Sequence, residues 1–536
     1  MNVLVRKDAY FDSVVLMLLS RELKGRAGVR DAVVAMGTPL NLDLLSSLGC
    51  GAAELGGVTP ADLVIAVDCD DPAVASVTLA AAEAALAKGQ SGGGGAGGGV
   101  AAHEPASLEG ALALAPGANV AVISIPGAYA AREARRALDH GLHVMLFSDN
   151  VTLEDEIALK EHARELGLLL MGPDCGSAII GGMPLCFANV VRRGPVGVVA
   201  ASGTGLQEVT VLVDRAGSGI SQAIGTGGRD LKNERVGGAT MFMGIEALAQ
   251  DAATKVIVVV SKPPAPAVAA KVVAALEATG KDAVVHFIGL AVPAGGAKAG
   301  GRVRHAANLE EAAALAVAIA EGRAGETRGF TAAVANIDAI IARETARMAS
   351  AQRFLRGYFT GGTLADEAWL VLHAANGAVY SNNQTDPAFV LADPKVSVGH
   401  TVVDLGDDVF TVGRPHPMID PSTRTERVDA EAADPSIAVM LVDVVLGYGS
   451  HADPAGALVP SLAAAKAAAV ARGGYLAVVA SVTGTPGDFQ GFAQQQAKLE
   501  AAGVVVMPSN YQASQLAMRI VEAAPGNAAG RAGGAR

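Results

Sequence analysis

The chain has 536 residues and a net charge of −12, with half of its residues apolar but few aromatic. It is longer than the roughly 250–300 residues at which a single core stops growing, so several domains are expected. The acidic balance, without a basic patch interleaved with aromatics, excludes nonspecific nucleic-acid binding; it leaves small anionic ligands open, because local loops can be positive on an acidic protein. The cysteines Cys50, Cys69, Cys175 and Cys186 form no CxxC pair and no disulfide framework, which suits a reducing compartment. Between Met1 and Leu19 the only apolar stretch is Val14 to Leu19, preceded by Asp8 and Asp12. That is neither a signal peptide nor a membrane span, so a cytoplasmic protein with no membrane partner is expected.

Residues 1–88 form a first α/β region. Val3–Val5, Val29–Met36 and Leu63–Val67 read as strands, and Ser13–Leu23, Leu40–Leu48 and Pro72–Leu86 as helices. The alternation predicts a parallel or mixed sheet covered by helices. Residues 89–105 contain Gly92 to Gly99 broken only by Ala96; such a tract cannot bury apolar surface to offset its ordering entropy and reads as a flexible linker. Residues 106–190 alternate again, with strands at Val120–Ile125, His143–Phe147 and Leu168–Met171 and helices at Ala128–His140 and Leu153–Leu166. Two further α/β units, 191–325 and 350–523, look like distant copies. In each, an aspartate leads into strand, helix and strand: Asp251, Lys255–Val260, Ala265–Ala278, Ala283–Ile288, then Asp434, Ile437–Leu446, Pro454–Ala471, Tyr475–Ala480. Residues 524–536 read as a disordered tail. The fold class is therefore α/β and multi-domain.

Three glycine-punctuated loops follow apolar runs: Met171-Gly172-Pro173-Asp174-Cys175-Gly176, Ala201-Ser202-Gly203-Thr204-Gly205 and Gly225-Thr226-Gly227-Gly228-Arg229-Asp230. Each reads as the carboxyl end of a buried parallel strand, where open α/β sheets bind ligands. Glycine admits close approach of backbone N–H groups to an anion, and a helix starting there adds its positive end. Asp174, Gly176, Ser202, Gly203, Thr204, Gly205, Thr226, Gly227, Gly228 and Arg229 are thus candidate substrate- or phosphate-binding residues. Ser202 or Thr204 can cap the helix that begins near Leu206. Arg229 can hold a carboxylate or phosphate through two hydrogen bonds, or pair with Asp230. Cys175 is a candidate nucleophile, although no histidine follows it closely in sequence and a structural or substrate-lining thiol is the competing reading. His416, stiffened by Pro415 and Pro417, is a candidate for proton transfer or anion binding together with Arg414. Asp404, Asp407 and Asp408 are placed near that loop, and no spacing matches a zinc site.

These loops resemble the α subunit of succinyl-CoA synthetase, with its GPNCPG-type turn, SRSGT-type strand–turn–helix and GIGGDP-type loop. The closer resemblance, over nearly the whole chain, is to the FdrA family of acyl-CoA-synthetase-like proteins. It rests on Tyr10 to Leu18, Met36 to Asn41, Gly203 to Thr210 and Gly413 to Asp420. The resemblance implies a Rossmann-like, CoA-binding-type region followed by two flavodoxin-like ligase-type domains, the second similar to the β subunit. The GFTGxxG cradle for CoA has no clear counterpart, the GHxGA frame of the phosphohistidine is missing around His305, and no ATP-grasp pattern is found. Proteins similar to FdrA are implicated as one component of oxamate carbamoyltransferase in allantoin and purine catabolism. There, oxalurate and phosphate give oxamate and carbamoyl phosphate. The resemblance therefore implies a carbamoyltransferase subunit with small anionic substrates, partner subunits and no cofactor. The alternatives are an acyl-CoA synthetase subunit that binds CoA, and a non-catalytic scaffold subunit. Incubated with γ-labelled ATP, the purified chain is expected to take up no acid-labile, base-stable label. Label on His305 would overturn that expectation.

Overall fold

The computed structural model describes the chain apart from residues 1, 10, 12, 92–104, 106, 292–300, 324–328, 413 and 528–536. The glycine-rich tract, most of the loop before His305 and most of the tail thus lie outside the described residues. The chain divides into two compact units: Met1–Leu114 with Phe410–His416, and Ala115–Val409 with Pro417–Arg536.

In the first unit, β1 (Asn2–Arg6), α1 (Ser13–Lys24), β2 (Asp31–Met36), α2 (Pro39–Ser47), α3 (Ala52–Leu55), β3 (Leu63–Asp68), α4 (Pro72–Ser91) and α5 (Leu108–Leu114) follow in order. The sheet order is β1-β3-β2, and β3 pairs antiparallel with both neighbours. The expected parallel or mixed pairing is therefore corrected to antiparallel. The α1 crossover leaves β1 and β2 parallel but apart, and β3, returning through two short helices, fills the gap in the opposite direction. The central strand reads as one apolar run because both its faces are covered. Leu63, Ile65 and Val67 pack on Leu16, Leu23 and Leu86, while Val64 and Ala66 pack on Leu45, Cys50 and Leu55.

The second unit opens with β4 (Val120–Ile123), α6 (Gly127–Asp139), β5 (His143–Leu146), α7 (Leu153–Glu165) and β6 (Leu170–Met171), a parallel sheet in the order β4-β5-β6. A hairpin of β7 (Ser177–Ile180) and β8 (Met183–Cys186) then joins the edge of the next sheet. That sheet is built from β9 (Arg193–Ala201), α8 (Gly203–Arg215), β10 (Ile220–Gly225), α9 (Ala239–Gln250), β11 (Val256–Ser261), α10 (Pro266–Ala278), β12 (Asp282–Phe287), β13 (Val303–His305) and α11 (Leu309–Ala320). Its order is β13-β12-β11-β9-β10-β7-β8, parallel except for the hairpin.

After α12 (Val334–Thr345) come β14 (Phe354–Phe359), α13 (Gly362–Asn376), β15 (Val379–Ser381), β16 (His400–Asp404), α14 (Asp408–Thr411), α15 (Ser422–Glu431) and β17 (Ile437–Val445). The chain continues with α16 (Pro454–Ala471), β18 (Ala477–Thr483), α17 (Phe492–Ala501), β19 (Val505–Met507) and α18 (Asn510–Ala523). These strands form an all-parallel sheet in the order β15-β16-β14-β17-β18-β19. Once the β7–β8 hairpin and the extra edge strand β15 are set aside, both sheets place their first strand between the second and third. This is the doubly wound flavodoxin-like order, with its ligand crevice where the chain switches direction. The first helices repeat as well. Ser202-Gly203-Thr204-Gly205-Leu206-Gln207-Glu208 and Gly361-Gly362-Thr363-Leu364-Ala365-Asp366-Glu367 occupy the same positions at the starts of α8 and α13.

One hydrophobic cluster runs through both sheets, with Val198, Leu206 and Val209 on one side and Leu364, Leu441 and Leu516 on the other. Among the described residues, α16 alone is long and apolar enough to cross a membrane; its Leu458, Leu462 and Ala465 are buried in the protein. Pro525–Asn527, expected in the disordered tail, form a helical turn in which Gly526 N–H donates to Gln352 O and Asn527 Nδ2 to Arg353 O.

In the centre of the second sheet, buried Asp443 accepts from the N–H groups of Thr360 and Gly361, each at 2.9 Å, and from Arg424 Nη1 at 2.9 Å. Removing one member of a buried pair leaves an uncompensated charge. Asp443→Ala is therefore expected to lower unfolding free energy by about 3–5 kcal/mol in a urea titration, and Asp443→Asn, which keeps an acceptor, by less. Unchanged unfolding of the alanine variant would show that the pair is idle.

Candidate functional site

The helices α8 and α13 meet at their amino ends. Ser202 caps α8 by accepting from Gly205 N–H at 3.0 Å, and its Oγ lies 2.7 Å from Thr363 Oγ1. The contact is close enough that a Cβ on Gly361 would lie 2.7 Å from Thr204 Cγ2. No side chain caps α13. Gly203 is exposed and Gly362 half-exposed, so solvent reaches the crevice at which both helices start. An anion there would meet two positive helix ends.

The Lys262 ammonium stands at this crevice. Lys262, just past β11 at the switch point of the first sheet, is 3.2 Å from Asp366 Oδ2, and a Cβ on Gly362 would lie 2.3 Å from Asp404 Oδ2 and 3.2 Å from Lys262 Nζ. Burial works against the Lys262 charge, but Asp366 and Asp404 outweigh it and hold the amine above its ordinary range. Burial pushes Asp404 up to about 7, an effect that Lys262 offsets in part and Asp366 reinforces. The Asp174 carboxylate is accessible to solvent, yet enclosure by surrounding chain, followed by repulsion from Asp149, also raises it to about 7. Two carboxyl groups able to exchange a proton near neutrality thus flank one cation.

The first and third glycine loops are in contact, and the second begins near Ser177, which follows the first. Gly227, at φ 87°, runs so close to the first loop that a Cβ would lie 2.1 Å from Pro173 O, and one on Gly228 would lie 2.9 Å from Asp174 Oδ2. A Cβ on Gly203 would lie 3.6 Å from Ser177 Oγ, and one on Gly176 3.5 Å from Phe187. Buried Lys160 on α7 anchors the third loop, at 2.7 Å from Asp230 Oδ1, 2.9 Å from Glu156 Oε1 and 3.2 Å from Thr226 O. Asp230 also accepts from the N–H groups of Thr240 and Met241 at the start of α9.

Several sequence-based expectations change. Arg229 does not pair with Asp230; it binds Glu156 Oε2 at 2.8 Å and donates to Val151 O at 2.6 Å. Its guanidinium thereby ties the loop to α7. Cys175 packs in the core with Met145, Met171 and Ala178, and burial pushes its thiol up to about 12. A thiol that stays protonated at neutral pH is a poor nucleophile, so the core role replaces the catalytic one. His416 is pushed down to about 4 by burial, which leaves it uncharged at neutral pH and unfit to bind an anion as a cation. His416 and exposed Arg414 belong to the segment that groups with the first unit, whereas the crevice lies wholly in the second. Asp404, first placed beside the His416 loop, faces Lys262 instead. His305 lines an apolar cavity of about 180 Å³ with Val273, Phe287 and Leu290. Sequence reasoning missed Lys262, Asp366 and the Gly361–Thr363 turn. The parallel between SGTGLQE and GGTLADE was the available signal for the last two.

Comparison with known proteins places this geometry. Residues 358–520 match the family model described as CoA-ligase, and residues 191–289 the one described as CoA binding domain. Residues 1–102 match the model described as AllF, heavy metal-associated domain. These matches define an acyl-CoA-synthetase-like chain with CoA-binding-type and CoA-ligase-type regions. Over 523 residues, 97% of this chain and 98% of the other, it is 43% identical to the uncharacterized protein YahF of Escherichia coli K12. The chain belongs to the family of that relative, the FdrA-like, acyl-CoA-synthetase-like proteins. It is also 28% identical over 152 residues to succinate–CoA ligase [ADP-forming] subunit alpha 2 of Archaeoglobus fulgidus, covering 27% of this chain and 50% of that one. The match thus spans about half of that relative. The apo dinucleotide-forming acetyl-coenzyme A synthetase 1 of Ca. Korarchaeum cryptofilum aligns over 77% of this chain and 84% of its own, at 17% identity and a TM-score of 0.28.

The described residues of the first unit do not fit a heavy-metal ion. Among the described residues no three His, Cys, Asp or Glu side chains gather as a metal site. Cys50 is buried among Leu45, Leu55 and Val64, and Cys69 donates to Asp71 O.

The raised Asp404 carboxyl has a measurable consequence. Its folded value lies above that of an unfolded aspartate, so the stability it contributes is complete below about pH 4 and is lost as pH rises through its folded value of about 7. Between those limits the loss per pH unit is at most about 1.4 kcal/mol. Asp404→Asn should therefore gain stability relative to the parent chain from pH 5 to pH 8 in urea titrations. A difference that does not vary with pH would show that Asp404 is ionised throughout.

Proposed function

We propose that this chain is an acyl-CoA-synthetase-type subunit that holds a phosphate or acyl-phosphate group between the amino ends of α8 and α13. The meeting of the two helix starts through Ser202 and Thr363, with Lys262 beside that of α13, carries this reading. The N–H groups of Gly203 and Gly362 and the Lys262 ammonium would bear the phosphoryl oxygens, so charge stabilisation and positioning are the chain's main contributions. Asp404 and Asp174 would give or take the proton that follows acyl transfer. Residues 106–190, 191–325 and 350–523 would act as three modules around this point, with CoA as acyl acceptor through the 191–289 region and with partner subunits handling nucleotide.

Carbamoyl transfer to phosphate, in the manner of the FdrA resemblance, is the second reading. Among the described residues, the side chains that line the cavity beside His305 are apolar, and this favours it. The crevice would then hold phosphate beside a carboxylated carbamoyl donor such as oxalurate.

Lys262→Met keeps side-chain length and removes the charge. Loss of a hydrogen bond to a charged group costs about 1.5–3 kcal/mol, so calorimetry should show inorganic phosphate binding weakened by roughly ten- to hundredfold. CoA binding by the parent chain would select the ligase reading, and carbamoyl phosphate binding without CoA binding the second. Unaltered phosphate binding by Lys262→Met would remove the crevice from both.

A further inference from the structure

Behind the crevice, the two flavodoxin-like halves exchange glutamates. Glu208, in the second turn of α8, reaches into the other half. Its Oε1 accepts from the N–H of Asn510, the first residue of α18, at 3.0 Å, and its Oε2 from Thr483 Oγ1 at 2.6 Å. Glu367, at the same position of α13, does the converse. Its Oε1 accepts from the N–H of Leu309, the first residue of α11, at 2.9 Å, and its Oε2 from Asn510 Nδ2 at 2.8 Å. The last helix of each half is therefore met at its amino end by the first helix of the opposite half. Asn308 and Ser509, the caps of α11 and α18, take the third N–H of their own helices from Glu311 and Gln512, and leave the first for the visiting carboxylate.

Further links join the starts of α11, α13 and α18. Glu310 on α11 accepts from the α18 cap Ser509 at 3.0 Å and from Gln512 Nε2 at 2.5 Å. The Asn510 amide also donates to Leu364 O, in the first turn of α13, at 3.0 Å. Asn510 thus contacts both glutamates and the helix start beside the crevice. Glu208 and Glu367 are 2% and 3% exposed, and burial raises both carboxyls, Glu367 to about 8. Well-packed apolar groups would often serve stability as well or better in such a place, so two carboxyls crossing in register suit the setting of a geometry.

We infer that Glu208 and Glu367 are positioning residues, whose reciprocal bonds across the pseudo-two-fold hold α8 and α13 at the separation that lets their amino ends share one ligand. The inference rests on the crevice reading above. Each glutamate lies six residues into its helix, about 9 Å from the open end at 1.5 Å per residue. A lost bond there tilts the helix start directly, and the 2.7 Å Ser202–Thr363 contact is the gauge of that tilt.

The test compares Glu208→Ala and Glu367→Ala with the matching glutamine variants in the full chain. Glutamine can still accept from the helix N–H; at Glu367 its amide can meet Asn510 Oδ1, which has no partner now. Inorganic phosphate affinity is read by calorimetry, and amide hydrogen exchange is followed at residues 203–206 and 362–365. Each alanine variant is expected to weaken phosphate binding at least tenfold and to speed exchange at both helix starts, including the one in the half that was not altered. The glutamine variants should stay within about threefold of the parent, a margin of roughly 0.6 kcal/mol. Asp453→Ala, which removes the cap of the remote helix α16, controls for lost stability and should move neither readout. If an alanine variant fails to fold, Asn510→Ala takes its place, with a three- to tenfold loss and the same exchange pattern expected.

Folded alanine variants with parental exchange at both helix starts would overturn the inference, whatever the phosphate result. Faster exchange in the alanine variants, with a parent chain that binds no phosphate, would instead keep the positioning and sink the crevice reading.

Discussion

The second unit is organised by one requirement: the first N–H groups of an α-helix have no partner within the helix and must find an acceptor. Ser202 serves α8, Asp230 serves α9, and Asn308 and Ser509 serve α11 and α18 with help from Glu367 and Glu208. Asp443 takes the N–H groups of the turn before α13. Because parallel sheets bring strand ends and helix starts to one edge, these acceptors collect in one layer, and the loops that carry them converge. At α13 the cap is a glycine without a side chain to offer, and the layer opens to solvent at the starts of α8 and α13.

The electrostatics of the crevice follow from this arrangement. Two helix ends favour negative charge, and Lys262 adds a full positive one. Asp366 and Asp404 would otherwise be repelled by an incoming anion, but burial weakens their ionisation. A proton shared near neutrality allows carboxyl groups and an anion to occupy the same small volume. Buried Lys160 shows the contrasting case. Enclosed by Glu156, Asp230 and the Thr226 carbonyl, it is committed to holding a loop and has no route to a ligand.

The two flavodoxin-like halves share strand order, the start of the first helix and the mode of capping the last. Such internal repetition lets one set of interactions be used twice, so that each half completes the other. It also explains the single hydrophobic cluster across both sheets, since neither α8 nor α13 buries its inward face without the opposing helices. The antiparallel first unit belongs to a different architecture, with its own core on both faces of β3.

The alternation of apolar runs and helical segments sufficed to place β4, β5, β6, β11, β12, β17 and β18, because fully buried parallel strands leave a run of Val, Ile and Leu, whereas the β7–β8 hairpin, β13 to β16 and β19 had no expected counterpart. Glycine spacing was enough to mark the three loops, and long motifs the family. Strand direction in the first unit was not legible, since β3 presents the same apolar run whether its neighbours run with it or against it. Nor were the partners of charged residues. Arg229 and Asp230 are adjacent in sequence, yet α7, some seventy residues earlier, supplies the partner of each. Cys175 and His416 looked reactive from their neighbours in sequence, and burial, a property of the folded chain alone, made the thiol inert and the imidazole uncharged. Lys262 looked ordinary until β11 carried it to the switch point. Local composition determines which segments become strands, helices and glycine turns, because those choices depend on neighbours along the chain. Which charges meet, and which groups lose their water, depends on segments far apart in sequence, and only the tertiary structure decided it.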